Sequence, residues 1–261
     1  MSVIFVIILF LFILVIYRFK INKYEYFENN LKQTNKIPKI VVSTYNNKSK
    51  IPEKVYKNIK KYAGNYTFII FNDKEAIDFI KKNYSKKYVK IFKSFKCGAH
   101  KADFFRYCYL YKKGGVYIDI KTELIKKLDD IFNKENTHLY TALSINKHTI
   151  YQGIIATIPN NPLFLYLVKF MVNIQTSSPN NYDYIVFTKD FYFKLFKYYK
   201  NLKMGYNKDF YNKYNLYLFM EKCSNQQKEC KTGLDKYGLC CYVYDNNKKI
   251  IKTRYADYPW I

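Results

Sequence analysis

The stretch "AHKADFFRYCYLYKKGGVYIDI", Ala99 to Ile120, decides how the rest of the chain is read. Phe104, Phe105, Tyr107 and Leu110 crowd its first part with apolar and aromatic side chains, so the spacing predicts a largely buried helix. Gly114-Gly115 stops that helix and lets the backbone approach its neighbours closely. Val116-Tyr117-Ile118 then reads as a buried strand that delivers Asp119 to its C-terminal end, the edge where open α/β sheets bind ligands. Asp103 and Arg106 stand at i, i+3 and share one helix face. An exposed pair of this kind contributes little. The aromatic neighbours argue that this pair is buried, and a buried Asp–Arg couple has polar atoms that a ligand hydroxyl can satisfy. If the strand continues, alternation sets Asp119, Lys121 and Glu123 on one side of it.

Composition makes Arg106 informative. The chain has 45 Lys and Arg together but only three arginines, Arg18, Arg106 and Arg254. Lysine serves for general charge here, so arginine marks places that need a planar fork for a carboxylate, phosphate or diol. Arg18 follows an apolar segment and reads as a flanking charge, which leaves Arg106 and Arg254. The net charge of +25 invites a nucleic-acid reading. The lysines are spread along the chain without a basic block, so the expectation is a solvated lysine surface and no nucleic-acid partner. Attraction to an acidic polymer or an anionic membrane stays open.

Working outward, "IPKIVVST" and "YTFIIF" read as strands and "PEKVYKNIKKYA" as a helix with Pro52 at its start. "DKEAIDFIKKNY" reads as a helix with Asp73 as its cap. "HLYTALSI" and "TIYQGIIATI" read as further strands, followed by helices near Pro162 and over 188–202. Strands alternating with helices predict an α/β domain with a largely parallel sheet. The 261 residues, 49% of them hydrophobic, are enough for one large domain or two small ones.

Val3 to Tyr17 is an uninterrupted apolar run. As a helix it reaches roughly 22 Å, which flanking residues extend toward the ~30 Å hydrocarbon core. No basic leader precedes it and no small-x-small cleavage site follows, which disfavours a signal peptide. The expectation is a single-pass transmembrane anchor over 1–20, a stem over 21–36 and a catalytic domain over 37–261. Arg18, Lys20 and Lys23 follow the run and would keep the domain cytosolic. Cys223, Cys230, Cys240 and Cys241 cluster as disulfide partners would in a lumenal, Golgi- or ER-type compartment, which is the placement expected here.

Taken together, "D-x-x-R-Y-x-x-L-Y-x-x-G-G-x-Y-x-D" resembles the core motif of glycosyltransferase family 32, the DXD sugar-binding region proteins, which include fungal-type α-mannosyltransferases. "IPKIVVSTY" resembles that family's opening strand, with Tyr45 where a Trp is usual. "YQGIIATIPNNPLF" resembles its later strand and helix, with Gln152 where an Asn is usual. The resemblance implies a GT-A, Rossmann-like nucleotide-sugar-binding domain and a retaining hexosyltransferase. GDP-mannose is the favoured donor, a UDP-hexose the other choice, and the acceptor a glycan, glycolipid or glycoprotein hydroxyl. It implies that Asp103 and Arg106 grip the donor sugar, and that Asp119 contacts sugar or ribose and helps hold Mn²⁺ or Mg²⁺. Tyr45 would stack on the base, Gln152 would contact substrate and Trp260 would close over the diphosphate. The departure is Lys121, which stands where the family has its second Asp. Two accounts follow: Lys121 itself faces the diphosphate in a metal-independent enzyme, or Asp119 with Glu123 holds a weaker metal. An inactive sugar-binding relative and, on charge alone, a nucleic-acid-binding protein are the competing readings.

Overall fold

β1 (Ile40–Thr44) buries Val41 and Val42 completely, one toward each side of the sheet it joins. A computed structural model describes residues 36–199, 201–208, 214–224, 240–255 and 257–259 of the chain. The expected anchor over 1–20, most of the stem, Cys230 and Trp260 lie outside these residues. Among the described residues no helix is long and apolar enough to cross a membrane. Ile37–Ile261 forms one unit of dense internal packing.

After β1 come α1 (Glu53–Tyr62), β2 (Thr67–Phe71), α2 (Asp73–Asn83), α3 (Lys86–Ser94) and α4 (Gly98–Lys113). β3 (Gly115–Ile118) follows, then β4 (Glu123–Leu124), α5 (Leu128–Ile131), β5 (Leu139–Leu143) and β6 (Ile150–Thr157). α6 (Pro162–Ser177) and α7 (Val186–Tyr198) precede β7 (Gly205–Asn207), β8 (Leu216–Ser224), β9 (Cys240–Asp245) and β10 (Lys248–Lys252). The strands form one sheet in the order β2-β1-β3-β6-β5-β8-β9-β10-β4, with β7 on β8.

Alternate residues of the central strands feed two cores. Val42, Tyr117, Ile155 and Leu218 face the core shared with α2, α3, α4, α6 and α7. Val41, Val116, Ile154 and Phe219 face the other, with Ile59 of α1 and Leu128 and Ile131 of α5. The layers are those of an α/β fold.

Three sequence expectations are corrected. The sheet is mixed rather than largely parallel. β1 runs parallel to β2 and β3, and β5 to β8, but β6 is antiparallel to both β3 and β5, and the β8–β9–β10–β4 edge is antiparallel throughout. The short turn after β5 makes β5–β6 a hairpin, which reverses direction at the sheet centre. α2 is capped by Asn72, not Asp73: the Asn72 side chain accepts from the Glu75 N–H, and the Glu75 carboxylate accepts from the Asn72 N–H. β3 ends at Ile118, and Asp119 enters a turn in which the Thr122 N–H donates to the Asp119 carbonyl at 2.8 Å.

Candidate active site

α4 ends where the sequence demands. Gly114, at φ 62°, sits so close to the backbone of Thr157 and Pro159 that a Cβ would meet Pro159 N at 2.6 Å. This close approach seats α4 against the end of β6 and turns the chain into β3. β3, buried along its length, then carries Asp119 to a cleft of about 340 Å³ at the C-terminal ends of β1 and β3. Arg106, Asp119, Lys121, Tyr45 and Tyr117 all line it.

Arg106 is 4% exposed and organises the site. Its Nη2 meets Asp103 Oδ1 and Asp119 Oδ1, each at 3.1 Å, so it bridges the i, i+3 carboxylate and the one from the next strand. Nη1 donates to the Gln152 carbonyl at 2.6 Å and Nε to the Ala102 carbonyl at 3.4 Å. The guanidinium carbon stands 4.3 Å from the Tyr117 ring centroid, and the Tyr117 hydroxyl pairs with Thr44 Oγ1 at 3.0 Å. Burial works against the charge of Arg106, but Tyr117, Asp119 and Asp103 outweigh it and its pKa is raised. Burial raises the Asp103 carboxyl above the usual carboxylate range, against the pull of Arg106. Asp103 is thus paired as expected but is not part of the cleft wall.

Lys121 reaches back to Asp119 Oδ2 at 3.5 Å, and its carbonyl accepts from the Tyr255 N–H at 2.8 Å. Its side chain is about one-third exposed at the cleft. The donor set therefore does not fit a divalent cation. Of the two carboxylates that line the cleft, Asp119 already faces cations with both oxygens and Asp73 is paired with Lys101. Glu123, the proposed partner, lies elsewhere, in a separate pocket with Lys54, Lys57, Lys61 and Lys252, because the chain turns after Asp119 instead of continuing as a strand. Among the described residues the one group of three metal-ligating side chains is Glu221, Cys223 and Cys241, and a disulfide joins the two cysteines.

Gln152 lies behind the cleft wall. Its carbonyl accepts from Arg106, while its side chain is buried in β6, outside the cleft wall. Tyr258 was missed by the sequence reading and lines the cleft. Arg254 explains its position: Nη2 donates to the Tyr258 carbonyl at 2.8 Å, and the guanidinium carbon lies 5.2 Å from its ring centroid. The scarcity of arginine was the available signal, since the third arginine anchors the segment that carries Tyr258. Asn46, Asn72 and the Lys101–Asp73 pair, at 2.7 Å, complete the polar wall.

Residues 49–138 match the model of the glycosyltransferase sugar-binding region containing DXD motif. That region holds Asp103, Arg106, Asp119 and the divergent Lys121. An uncharacterized glycosyltransferase of Acanthamoeba polyphaga mimivirus, L373, is 31% identical over 137 residues, covering 49% of this chain and 54% of the relative. The mannosyl phosphorylinositol ceramide synthase CSH1 of Saccharomyces cerevisiae is 29% identical over 136 residues, covering 51% of this chain and 35% of the relative. The chain thus matches about half or less of the length of these curated relatives. Among solved structures the PaToxG glycosyltransferase superposes with a TM-score of 0.51 at 14% identity, covering 67% of this chain and 76% of that one. At that identity the likeness concerns the mixed α/β fold alone.

Proposed function

We propose that the chain is a retaining GT-A hexosyltransferase that moves a sugar from a nucleotide sugar to a hydroxyl acceptor. The observation that carries the reading is the Asp103–Arg106–Asp119 cluster, set at the sheet edge inside the region matched to the sugar-binding family. A rigid carboxylate accepts from vicinal sugar hydroxyls, and Arg106 holds Asp119 in the orientation for it. Tyr45 offers a ring to the base, and Tyr258 packs against the same apolar cluster beside it. Mannose from GDP-mannose is the favoured donor, because relatives are named for mannosyl transfer. The acceptor is a glycan or lipid-linked hydroxyl. The Cys223–Cys241 disulfide supports a lumenal site for the domain.

In the reaction the acceptor oxygen bonds to the anomeric carbon as its bond to the diphosphate breaks, and the acceptor proton passes to the leaving phosphate. Charge develops on that leaving group, and the Lys121 ammonium, beside Asp119 at the cleft, is the cation we assign to it. Its contribution is therefore greatest in the transition state. The alternative is a sugar-binding protein without turnover, which the same Lys121 motivates.

Incubating the purified full chain with a panel of nucleotide sugars distinguishes them. Turnover that persists in EDTA, and a Lys121→Ala variant that loses about 10²-fold in kcat with little change in donor affinity, are the expected outcomes. Lys121→Asp should make turnover depend on added Mn²⁺. Donor binding without turnover would establish the non-enzymatic reading, and activity abolished by EDTA would return the diphosphate to a metal.

A further inference from the structure

α7 packs one stripe inward and presents the other to solvent. Phe187, Phe191 and Leu195, at i, i+4, are buried in the core. On the opposite side Phe193 is 54% and Phe196 48% exposed, with Lys189 and Lys197 flanking them on the same face. Two large rings on the outer face of a helix are not explained by packing, and contiguous exposed apolar surface marks interaction sites. The patch extends onto the turn between β5 and β6. There Ile145 is 48% exposed, and the His148 ring lies 5.9 Å from Phe193. The charge around it is positive. From Asp183 through Tyr198, and over 144–149, there are four lysines against Asp183 and Asp190, and Asp183 pairs with Lys189 at 2.9 Å.

We infer that this face of α7, with the Ile145–His148 turn, docks on an anionic lipid bilayer. Phenylalanines ringed by lysines suit the interface, where rings enter the acyl boundary and ammonium groups stay with acidic headgroups. The net charge of +25 attracts the chain to such a surface. The inference stands on this face alone and does not depend on the transferase reading.

The test is a Phe193→Trp variant of the full chain, with the parent as background for Trp260. It is mixed with phosphatidylcholine vesicles whose acyl chains are brominated, with or without phosphatidylserine. Quenching of the introduced indole beyond the parent signal in phosphatidylserine vesicles, weakened by salt, is expected. Lys189→Gln and Lys197→Gln should each lower the docked-to-undocked ratio about five-fold, as ~1 kcal/mol per lysine at an acidic surface implies. Phe196→Trp repeats the measurement if the first variant melts below the parent. No added quenching, or equal quenching by neutral vesicles, overturns the inference. So does a blue-shifted, lipid-independent emission that depends on protein concentration, which would instead identify a second copy as the cover.

Discussion

Arg106 spends most of its donors inside the protein, which changes what its replacement does. Lysine keeps the charge but cannot span Asp103, Asp119 and the Gln152 carbonyl at once. Arg106→Lys should lower kcat/KM on a nucleotide sugar by at least about 10²-fold and stability by about 2 kcal/mol, read by initial rates and urea melts. Normal activity would remove Arg106 from the machinery. The Asp103–Arg106 pair was legible because helical spacing is local. Its junction with Asp119 was not, because only the turn at Gly114 brings that carboxylate back to the same guanidinium. Asp190 gives a separate prediction. Burial pushes its carboxyl up to about 6, although Tyr166 donates to it and Lys194 stands near. A folded-state value above the unfolded ~3.9 means that the folded chain binds more protons between about pH 4 and 6. Stability should therefore fall as pH rises through that window. Asp190→Asn should flatten the slope and gain about 1 kcal/mol at neutral pH, a figure reduced for the solvent that reaches this site. An unchanged pH profile of the melting temperature would count against it.

Gly114 shows what an element boundary requires. Its φ of 62° with ψ of −156° is a conformation open to glycine, and a methyl would run into Pro159 and Thr157. Gly114→Ala should cost at least about 2 kcal/mol in urea unfolding and misplace β3, the strand that positions Asp119. Gly98, at the other end of α4, is the control: an added Cβ there meets nothing within 4 Å, so Gly98→Ala should leave stability within about 1 kcal/mol or raise it. The paired glycines were readable as a helix stop from residue type alone. The end of β3 was not. Ile118 and Ile120 look alike in sequence, and the hydrogen bond from Thr122 to Asp119 closes the turn that sends Glu123 to another pocket. Likewise Asn72 and Asp73 are both good caps, and the reciprocal bonds with Glu75 select Asn72.

Across the whole molecule, +25 of net charge must be held on one chain, at a cost in self-repulsion. The melting temperature should climb as salt is raised from near zero to about 0.15 M, where the screening length is roughly 8 Å. A fall would mean that the surface ion pairs, such as Lys39–Asp129 and Lys48–Glu75, outweigh that repulsion. The buried Arg106 bridge should respond little to salt, because solvent ions do not reach it. Apart from α3, β4 and α5, the sequence by itself determined the strands and helices from Ile40 to Thr157, the buried helix with its Asp–Arg face, the glycine stop, and the carboxylate at the end of the next strand. These are properties of neighbours within one or two turns, and side-chain periodicity records them. Tertiary structure alone decided the reversal at β6, the antiparallel edge from β8 to β4, the capture of Asp119 by Arg106, and the return of Tyr258 to the cleft under Arg254. Those pairings join residues far apart in the chain. Which strands and side chains meet is set by mutual burial of surfaces, and no local period in the sequence encodes that choice.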